Sequence, residues 1–227
     1  MAGLLNPLAD YRTVLRGLVR QDQWRQIAIN AGWTAVVTGS GSTAQGSGYQ
    51  IAQTGVTATS TALLRSANAG QYGLSRGQTP DKIDWTKPFL WQIVLTPVGT
   101  TNGVSRLTLG KTAAMGLGDL SAKGLGIKHT GATRALYGVV HNGTTLTTVD
   151  LSTALSSFTT ERITILSDGL GNVEWLVHDV SKGTTALGPA ALGTAAQTEF
   201  YNESDNGGDA ATQYSIVHDM KLWIAQS

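Results

Sequence analysis

The chain has 227 residues, of which only 14% are charged, against roughly 25% in an average soluble protein, and its net charge is +1. It contains no cysteine, which excludes a disulfide framework, a thiolate metal site and a cysteine nucleophile. A net charge this close to zero argues against a general nucleic-acid binder. Because no run of about 18 apolar residues occurs, we expect no membrane insertion. Abundant glycine and threonine favour short β-strands joined by tight turns, since threonine is β-branched and glycine adopts positive φ.

A short N-terminal helix is predicted within residues 1–30. Asn6 is a good N-cap, and Pro7 stands at the first helical position, where its missing N–H is not needed. Apolar residues then recur at the spacing of a coiled-coil seam, namely Leu4, Leu8, Tyr11, Leu15 and Leu18. Because this seam covers only about two heptads, two interpretations stay open: a helix that docks on its own domain, or a helix that anchors the chain or joins copies of it.

Basic residues follow one side of the same helix. Arg12, Arg16 and Arg20 recur at every fourth position and form one stripe, which is either a solvated face or a surface that docks on an acidic partner. The start of the chain lacks the cationic stretch and the unbroken apolar run of a secretory signal, because Asn6 and Pro7 interrupt it. We therefore expect the protein to be made and folded in a cytoplasm.

Residues 31–227 are predicted to form an all-β domain. No stretch after residue 33 has a convincing helical period, and the length suits one large β domain. Residues 40–48 are rich in glycine and serine and predict a flexible connector or a long hairpin tip. Short apolar or alternating runs separated by Asn-Gly and Asp-Gly turns then predict strands at residues 49–53, 56–64, 89–96, 104–109, 124–130, 134–142, 145–151, 162–167, 172–179, 197–202 and 213–225.

Two of these strands indicate which residues face the core. In residues 89–95 apolar side chains occupy both faces, as expected of a central buried strand. From residue 214 onward the alternation predicts a clean two-sided strand. One face carries Tyr214, Ile216, His218, Met220, Leu222 and Ile224, and the other carries Ser215, Val217, Asp219, Lys221 and Trp223.

Three segments carry the pattern of a known fold family. Residues 164–183 (TILSDGLGNVEWLVHDVSKG) read as an apolar strand, an Asp-Gly-Leu-Gly turn and a strand that ends in a small polar turn. Residues 82–89 (KIDWTKPF) lead into an early core strand, and residues 216–223 (IVHDMKLW) form a closing strand. These segments resemble parts of concanavalin A-like sandwiches, the fold of laminin-G domains, legume lectins and some glucanases. The resemblance covers residues 33–227 and implies a concanavalin A-like jelly-roll sandwich preceded by a short N-terminal α-helix.

No pair of carboxylates matches the glutamate pair that the glucanases of this superfamily use. Glu199 and Glu203 would lie about 13 Å apart along a strand, beyond both the retaining spacing of about 5–5.5 Å and the inverting spacing of about 6.5–9.5 Å. Glu203 and Asp205 could share a face, but their surroundings read as a loop, which favours a solvated or ion-binding role. The chain also lacks a Gly-x-Ser-x-Gly elbow, a phosphate-binding loop and a His-Glu-x-x-His motif. We therefore expect no enzymatic activity.

Two groups of polar residues are candidates for a metal or ligand site. Val-His-Asn or Val-His-Asp recurs at His141, His178 and His218, which predicts a metal or pH-sensitive cluster if the strands are neighbours, and separate hydrogen-bonded histidines otherwise. The densest group of oxygen ligands is Asp205, Asn206 and Asp209, which makes Ca²⁺ the one ion to expect there. A plain polar loop is the alternative, and no other cofactor is expected.

The six tryptophans are candidates for a platform on which a sugar stacks. Trp91 and Trp175 fall inside predicted strands, so we expect these two to lie in the core instead.

As a whole, the chain resembles a virion protein of a tailed bacteriophage, with an anchoring helix followed by a lectin-like sandwich. The resemblance implies a non-enzymatic structural protein on the outside of the particle, as a capsid decoration, head fibre or tail fibre. It also implies a homo-oligomer, usually a trimer, that contacts other virion proteins and a host surface glycan. The alternatives are a bacterial carbohydrate-binding module or adhesin and, second, a polysaccharide hydrolase.

We predict that Leu15→Asp dissociates the oligomer, because it places a charge in the apolar seam. Light scattering measures the mass of the wild type and of the variant. An unchanged mass would show that the seam does not hold copies of the chain together.

Overall fold

The computed structural model describes residues 25–26, 33–46, 49–55, 61–66, 85–86, 88–99, 102–112, 119–131, 135–154, 159–189 and 200–224. Within these ranges all regular secondary structure is β, and no helix is long and apolar enough to cross a membrane. The strands are β1 (Arg25–Gln26), β2 (Trp33–Thr38), β3 (Ser42–Gly46), β4 (Tyr49–Gln53), β5 (Thr61–Ser66), β6 (Phe89–Val98), β7 (Val104–Thr112), β8 (Leu120–Thr130), β9 (Ala135–His141), β10 (Leu146–Ala154), β11 (Glu161–Ser167), β12 (Val173–Val177), β13 (Val180–Thr185), β14 (Phe200–Asp205) and β15 (Tyr214–Ile224).

The strands form two antiparallel sheets that pack as a sandwich. The larger sheet has the order β13-β12-β11-β6-β15-β4-β3, with β1 paired to β15 beside β4. The smaller sheet has the order β10-β9-β8-β7-β14-β5-β2. The prediction of an all-β sandwich is therefore confirmed. The predicted helix and its seam lie outside the described residues, while residues 25–26, at the end of the segment assigned to it, pair with β15.

The core lies between the sheets, where inward-facing side chains of both sheets are almost fully buried. Trp91 and Ile93 of the central strand β6 and Leu125 of β8 are among its members. Trp175 of β12 spans the gap, because its Nε1 donates a hydrogen bond of 3.0 Å to the carbonyl oxygen of Gly126 in the opposite sheet. Gly138 of β9 leaves room for the ring, since a Cβ there would lie 2.5 Å from Cε2 of Trp175.

The strand β15 differs from the predicted two-sided strand because it contains a β-bulge. Val217 pairs with Leu95 and Asp219 pairs with Val94, so His218 is an extra residue on the bulged strand. An extra residue shifts the alternation of side chains by one position. Val217 therefore joins Met220 and Leu222 in the core, although the sequence pattern had placed it on the opposite face.

Four of the strands, β1, β2, β3 and β13, are not among the predicted ones. Residues 40–48 were predicted to be a connector or hairpin tip, yet residues 42–46 form β3 and pair with β4. The strand predicted for residues 172–179 ends at Val177, because His178 and Asp179 adopt positive φ (51° and 66°) and turn the chain into β13. A two-residue turn with positive φ matches the twist of a hairpin. β13 is mostly exposed and polar, so it lacks the apolar alternation that reveals a strand.

We predict that Gly138→Ala destabilises the fold by about 1–3 kcal/mol, because the new methyl group overlaps the ring of Trp175 and the ring cannot move without losing its bond to Gly126. Urea unfolding measures the change. Ser181→Ala, on the exposed strand β13, is the control and should stay within about 0.5 kcal/mol of the wild type. Equal stability of Gly138→Ala and the wild type would contradict this account of the packing.

Candidate functional site

A row of polar side chains crosses the smaller sheet from strand to strand. Asp150 of β10 pairs with Tyr137 of β9, Tyr137 with Lys128 of β8, Lys128 with Arg106 of β7, and Arg106 with Glu203 of β14. Paired residues of neighbouring strands project from the same face of a sheet. At about 4.8 Å per strand, this polar row is about 19 Å long.

The polar row lies on the outer face of the smaller sheet. Leu107 follows Arg106 in β7, Ile127 precedes Lys128 in β8, and both of these apolar neighbours belong to the core. Since successive side chains of a strand point to opposite faces, the polar row points away from the core.

Exposure changes steadily along the polar row. Glu203 and Arg106 are buried, Lys128 and Tyr137 are half-buried, and Asp150 is exposed. A molecule in solution therefore reaches the row from the end formed by Asp150, Tyr137 and Lys128.

Asp119, just before β8, fixes the two cations of the polar row. Its Oδ1 accepts a bond of 2.7 Å from Nε of Arg106, and its Oδ2 accepts one of 2.9 Å from Nζ of Lys128. Burial raises the pKa of the Asp119 carboxyl, but the hydrogen bonds and positive charges of Lys128 and Arg106 outweigh burial and lower the pKa below its ordinary value. The carboxylate is therefore ionised, and it holds both cations in one geometry.

A buried hydroxyl adds to this site. Thr108 lies two residues after Arg106 in β7 and so faces the same side of the sheet. The side chain of Thr108 is fully buried, and its Oγ1 has no hydrogen-bond partner among the described residues. A buried polar atom is normally satisfied, and a bound water molecule would satisfy this hydroxyl.

The arrangement brings together the groups that hold a polyhydroxylated or carboxylated ligand. Lys128 has three N–H donors, Asp119 and Glu203 offer acceptor oxygens, and Tyr137 provides an aromatic face with a hydroxyl. The ion pairs of Asp119 with Arg106 and Lys128 keep these three side chains in place before a ligand arrives, which reduces the entropy lost on binding.

The residues predicted to bind calcium lie close together at the end of β14 and in the turn after it. The carboxylate of Asp209 accepts bonds of 2.6 Å from both the backbone N and Nδ2 of Asn102, and Oδ1 of Asp205 accepts one of 2.6 Å from the backbone N of Gly207. Asn206 Nδ2 donates to the carbonyl of Asp209. These contacts join the turn to the loop before β7. In the part of the chain that is described, no group of three His, Asp or Glu side chains is placed to hold a metal, and Ca²⁺ at this turn stays a prediction.

Glu203 and Asp205 belong to a strand and not to the loop that the sequence suggested. Both are buried in β14, where they are two residues apart on one face. Glu161 and Glu174 lie in the other sheet, where Glu174 pairs with Leu166, about 17 Å along β11 from Glu161. The described glutamates therefore form no pair of the kind that glucanases use, and Glu199 is outside the described residues.

The three Val-His motifs do not form one cluster. Nε2 of His178 lies 2.7 Å from Oε2 of Glu161, and Nε2 of His218 lies 2.8 Å from Oγ1 of Thr96, both on the larger sheet. His141 ends β9 on the smaller sheet and accepts a bond at Nδ1 from the backbone N of Gly143. The structure therefore shows the alternative, in which the three histidines form separate hydrogen bonds.

The three tryptophans whose side chains the structure describes are buried, so none of these three offers a platform for a sugar. Trp91 and Trp175 are fully buried, which confirms the prediction that they lie in the core, and Trp85 is buried as well. The aromatic residue of the polar row is Tyr137, which the sequence did not single out. Arg106 and Lys128 each lie next to a core residue in a predicted strand. The sequence does not show that these two strands pair, and it is this pairing that makes Arg106 and Lys128 neighbours.

We predict that Asp119→Asn lowers stability at neutral pH by about 1–3 kcal/mol, because it leaves the buried Arg106 and the nearby Lys128 without their shared anion. A carboxyl whose pKa is lowered by folding stabilises the protein above its unfolded pKa, near 3.8, and loses this effect as the pH falls through the lower folded value. The difference between wild type and variant should therefore shrink below about pH 4.

Urea unfolding at several pH values measures this difference. Asp179→Asn is the matched control, because its ion pair with Arg162 is exposed and should contribute about 0–1 kcal/mol. If Asp119→Asn is as stable as the wild type at neutral pH, the role given to the carboxylate is contradicted. The same holds if the difference in unfolding free energy does not change with pH.

The chain matches no family model and no curated protein sequence. Several solved structures share its fold. The endo-β-1,4-glucuronan lyase of the fungus Trichoderma reesei matches with a TM-score of 0.57 and 10% identity, over 90% of this chain and 95% of the lyase. The binding domain of botulinum neurotoxin DC in complex with rat synaptotagmin II matches with a TM-score of 0.54 and 10% identity, over 89% of this chain and 47% of that one.

Botulinum neurotoxin type C, described as interacting with two ganglioside molecules, matches with a TM-score of 0.53 and 9% identity, over 88% of this chain and 47% of the toxin chain. The chain thus spans about half the length of the neurotoxin chains that it matches. At these identities the matches establish an all-β sandwich fold.

Proposed function

We propose that the sandwich binds a carbohydrate along the polar row on the outer face of its smaller sheet, and that it does so without catalysing a reaction. The observation that carries this proposal is the partly open, pre-arranged set of Tyr137, Lys128 and Asp119, backed by Arg106 and Glu203.

The chemistry of the row suits sugars better than apolar ligands or metals. A sugar hydroxyl both donates and accepts, so one hydroxyl can bridge the Lys128 ammonium and the Asp119 carboxylate, which are already in contact. The C–H face of a sugar ring packs on an aromatic side chain, and Tyr137 stands next to Lys128 in the register. A sugar carboxylate would find the half-buried ammonium of Lys128, with the buried Arg106 behind it on the adjacent strand.

The similar structures support this choice of ligand class. The glucuronan lyase shares the fold over almost the full length of both chains, and a neurotoxin with the same fold in part of its length interacts with gangliosides. These are properties of those proteins. For this chain they support a glycan as the first ligand to test, although another neurotoxin binding domain of the same fold is in complex with a protein, synaptotagmin II.

We place this binding domain on the outside of a tailed-phage particle, as a structural protein of the head or tail. Support comes from the sequence: a weakly charged chain without cysteine, and its resemblance to phage virion proteins with a lectin-like sandwich. Residues 1–30 would then anchor the chain or join three copies, which is the part of the proposal that Leu15→Asp tests. A bacterial carbohydrate-binding module or adhesin would use the same polar row in another setting.

A polysaccharide lyase is the second candidate, and the match to glucuronan lyase along nearly the whole chain favours it. Such an enzyme removes a proton next to a carboxylate, so it needs a base and a cation that neutralises the sugar carboxylate. Tyr137 and Lys128 would take these two roles. The lyase product carries a new double bond that absorbs ultraviolet light. Incubation of the protein with polyuronates therefore distinguishes the two candidate functions. A lyase would produce this absorbance, whereas our proposal expects binding without it.

We predict saturable binding to at least one glycan on an array, and a loss of about tenfold or more in affinity for Lys128→Gln, because a hydrogen bond to a charged group contributes about 1.5–3 kcal/mol. Lys182→Gln is the matched control: it removes the same charge from the exposed strand β13 of the other sheet and should leave affinity unchanged. A blank array, or equal affinities of Lys128→Gln and wild type, would overturn the proposal.

A further inference from the structure

The turn between β9 and β10 holds an Asn-Gly pair in an unusual set of contacts. Oδ1 of Asn142 accepts two hydrogen bonds of 2.8 Å, from the backbone N–H groups of Thr144 and Thr145. The N–H of Gly143 donates a bond of 3.0 Å to Nδ1 of His141. Gly143 has φ of +110°, a conformation that glycine adopts readily.

These contacts place a base at the backbone N–H of Gly143 and two N–H donors at the side-chain carbonyl of Asn142. Because Nδ1 of His141 accepts from an N–H group, the ring is neutral at that nitrogen, with its proton on Nε2. Burial lowers the pKa of His141, which keeps the imidazole neutral at neutral pH. The two N–H groups on Oδ1 polarise the side-chain carbonyl of Asn142 and face the oxygen on which negative charge would develop.

We infer that Asn142-Gly143 is a self-modifying site, at which His141 promotes cyclisation of Asn142 to a succinimide and its hydrolysis to aspartate or isoaspartate. The reaction needs only the residues of this turn and one water molecule. It is independent of the proposed glycan binding.

Nδ1 of His141 takes the proton of the Gly143 N–H while that nitrogen bonds to Cγ of Asn142. The resulting oxyanion on Oδ1 is held by the N–H groups of Thr144 and Thr145. The Cγ–Nδ2 bond then breaks, and ammonia leaves with the proton returned by His141. Addition of one water opens the ring on either side. Nothing is oxidised or reduced.

The other two Asn-Gly pairs of the sequence have different contacts. Nδ2 of Asn102 donates a bond of 2.6 Å to the carboxylate of Asp209, and Nδ2 of Asn206 donates to the carbonyls of Gly55 and Asp209. These bonds hold Nδ2, the nitrogen that must leave as ammonia when the succinimide forms. The backbone N of Gly207 donates to Oδ1 of Asp205, a carboxylate and hence a weaker base than a neutral imidazole.

The position of Asn142 also allows the water step. Its side chain is half-buried, while Gly143 and Thr144 are exposed at the tip of the hairpin. An isoaspartate would add one methylene to the main chain of the turn that joins β9 and β10, the two strands that carry Tyr137 and Asp150, so the modification would loosen this edge of the smaller sheet.

The experiment follows all three Asn-Gly pairs in the intact protein by peptide mapping and mass spectrometry during incubation at neutral pH in isotopically labelled water. Each hydrolysed succinimide incorporates one labelled oxygen. We expect Asn142 to convert faster in the folded protein than in the urea-unfolded chain, by about tenfold or more, since a positioned base contributes typically 10²–10⁴-fold. We expect Asn102 and Asn206 to convert more slowly in the folded protein than in the unfolded one.

A variant isolates the role of the imidazole. His141→Gln keeps a side-chain acceptor for the Gly143 N–H but removes the base, so conversion at Asn142 should fall about tenfold while Asn102 and Asn206 stay as in wild type. If His141→Gln does not fold, the conversion rates of Asn142 in the folded and in the urea-unfolded wild type test the inference by themselves. Conversion at Asn142 that is no faster in the folded protein, or that is unchanged in a folded His141→Gln, would overturn the inference.

Discussion

The side chain of Trp175 joins the two sheets, and the geometry of the sandwich around it depends on this contact. Its ring fills the space above Gly138, and its Nε1 bonds to the carbonyl of Gly126 in the opposite sheet. Both glycines lie next to residues of the polar row: Tyr137 precedes Gly138, and Lys128 follows Gly126 by two positions. One buried side chain thus contacts both β8 and β9, and the outer faces of the same strands present the candidate site.

The polar row is poorly explained by stability alone. Arg106 is almost fully buried beside Asp119, and removing such charges from water costs free energy that their attraction only partly returns. Apolar residues of similar volume would serve the fold as well or better. A charged row on the outer face, open at the Tyr137 end and closed at the Glu203 end, has what a binding site needs: fixed groups at the back and accessible groups in front.

Local patterns in the sequence were sufficient for much of the fold. The strands at β4 and β6 and the hairpin around Asp168 followed from alternation and turn residues, and the burial of Trp91 and Trp175 followed from their places in strands. The bulge at His218 was not predictable, because one extra residue in a long strand leaves no mark in composition. The same holds for β13, whose residues are exposed and polar.

The candidate site was missed for a different reason. Asp205 and Asp209 stood out because they are close in sequence, yet their oxygens bind N–H groups of Gly207 and Asn102. The members of the polar row come from strands far apart in sequence, and they meet only through the register of the smaller sheet. That register depends on packing across the whole sandwich, which no short segment encodes.

A crystal structure of the complex with the oligosaccharide that binds best tests the central claim most directly. The account predicts sugar density on the outer face of the smaller sheet, with hydroxyl or carboxylate groups within hydrogen-bond distance of Lys128 and Asp119 and a ring against Tyr137. Density on the larger sheet, or at the turn of Asp205 and Asp209 with the polar row empty, would contradict it.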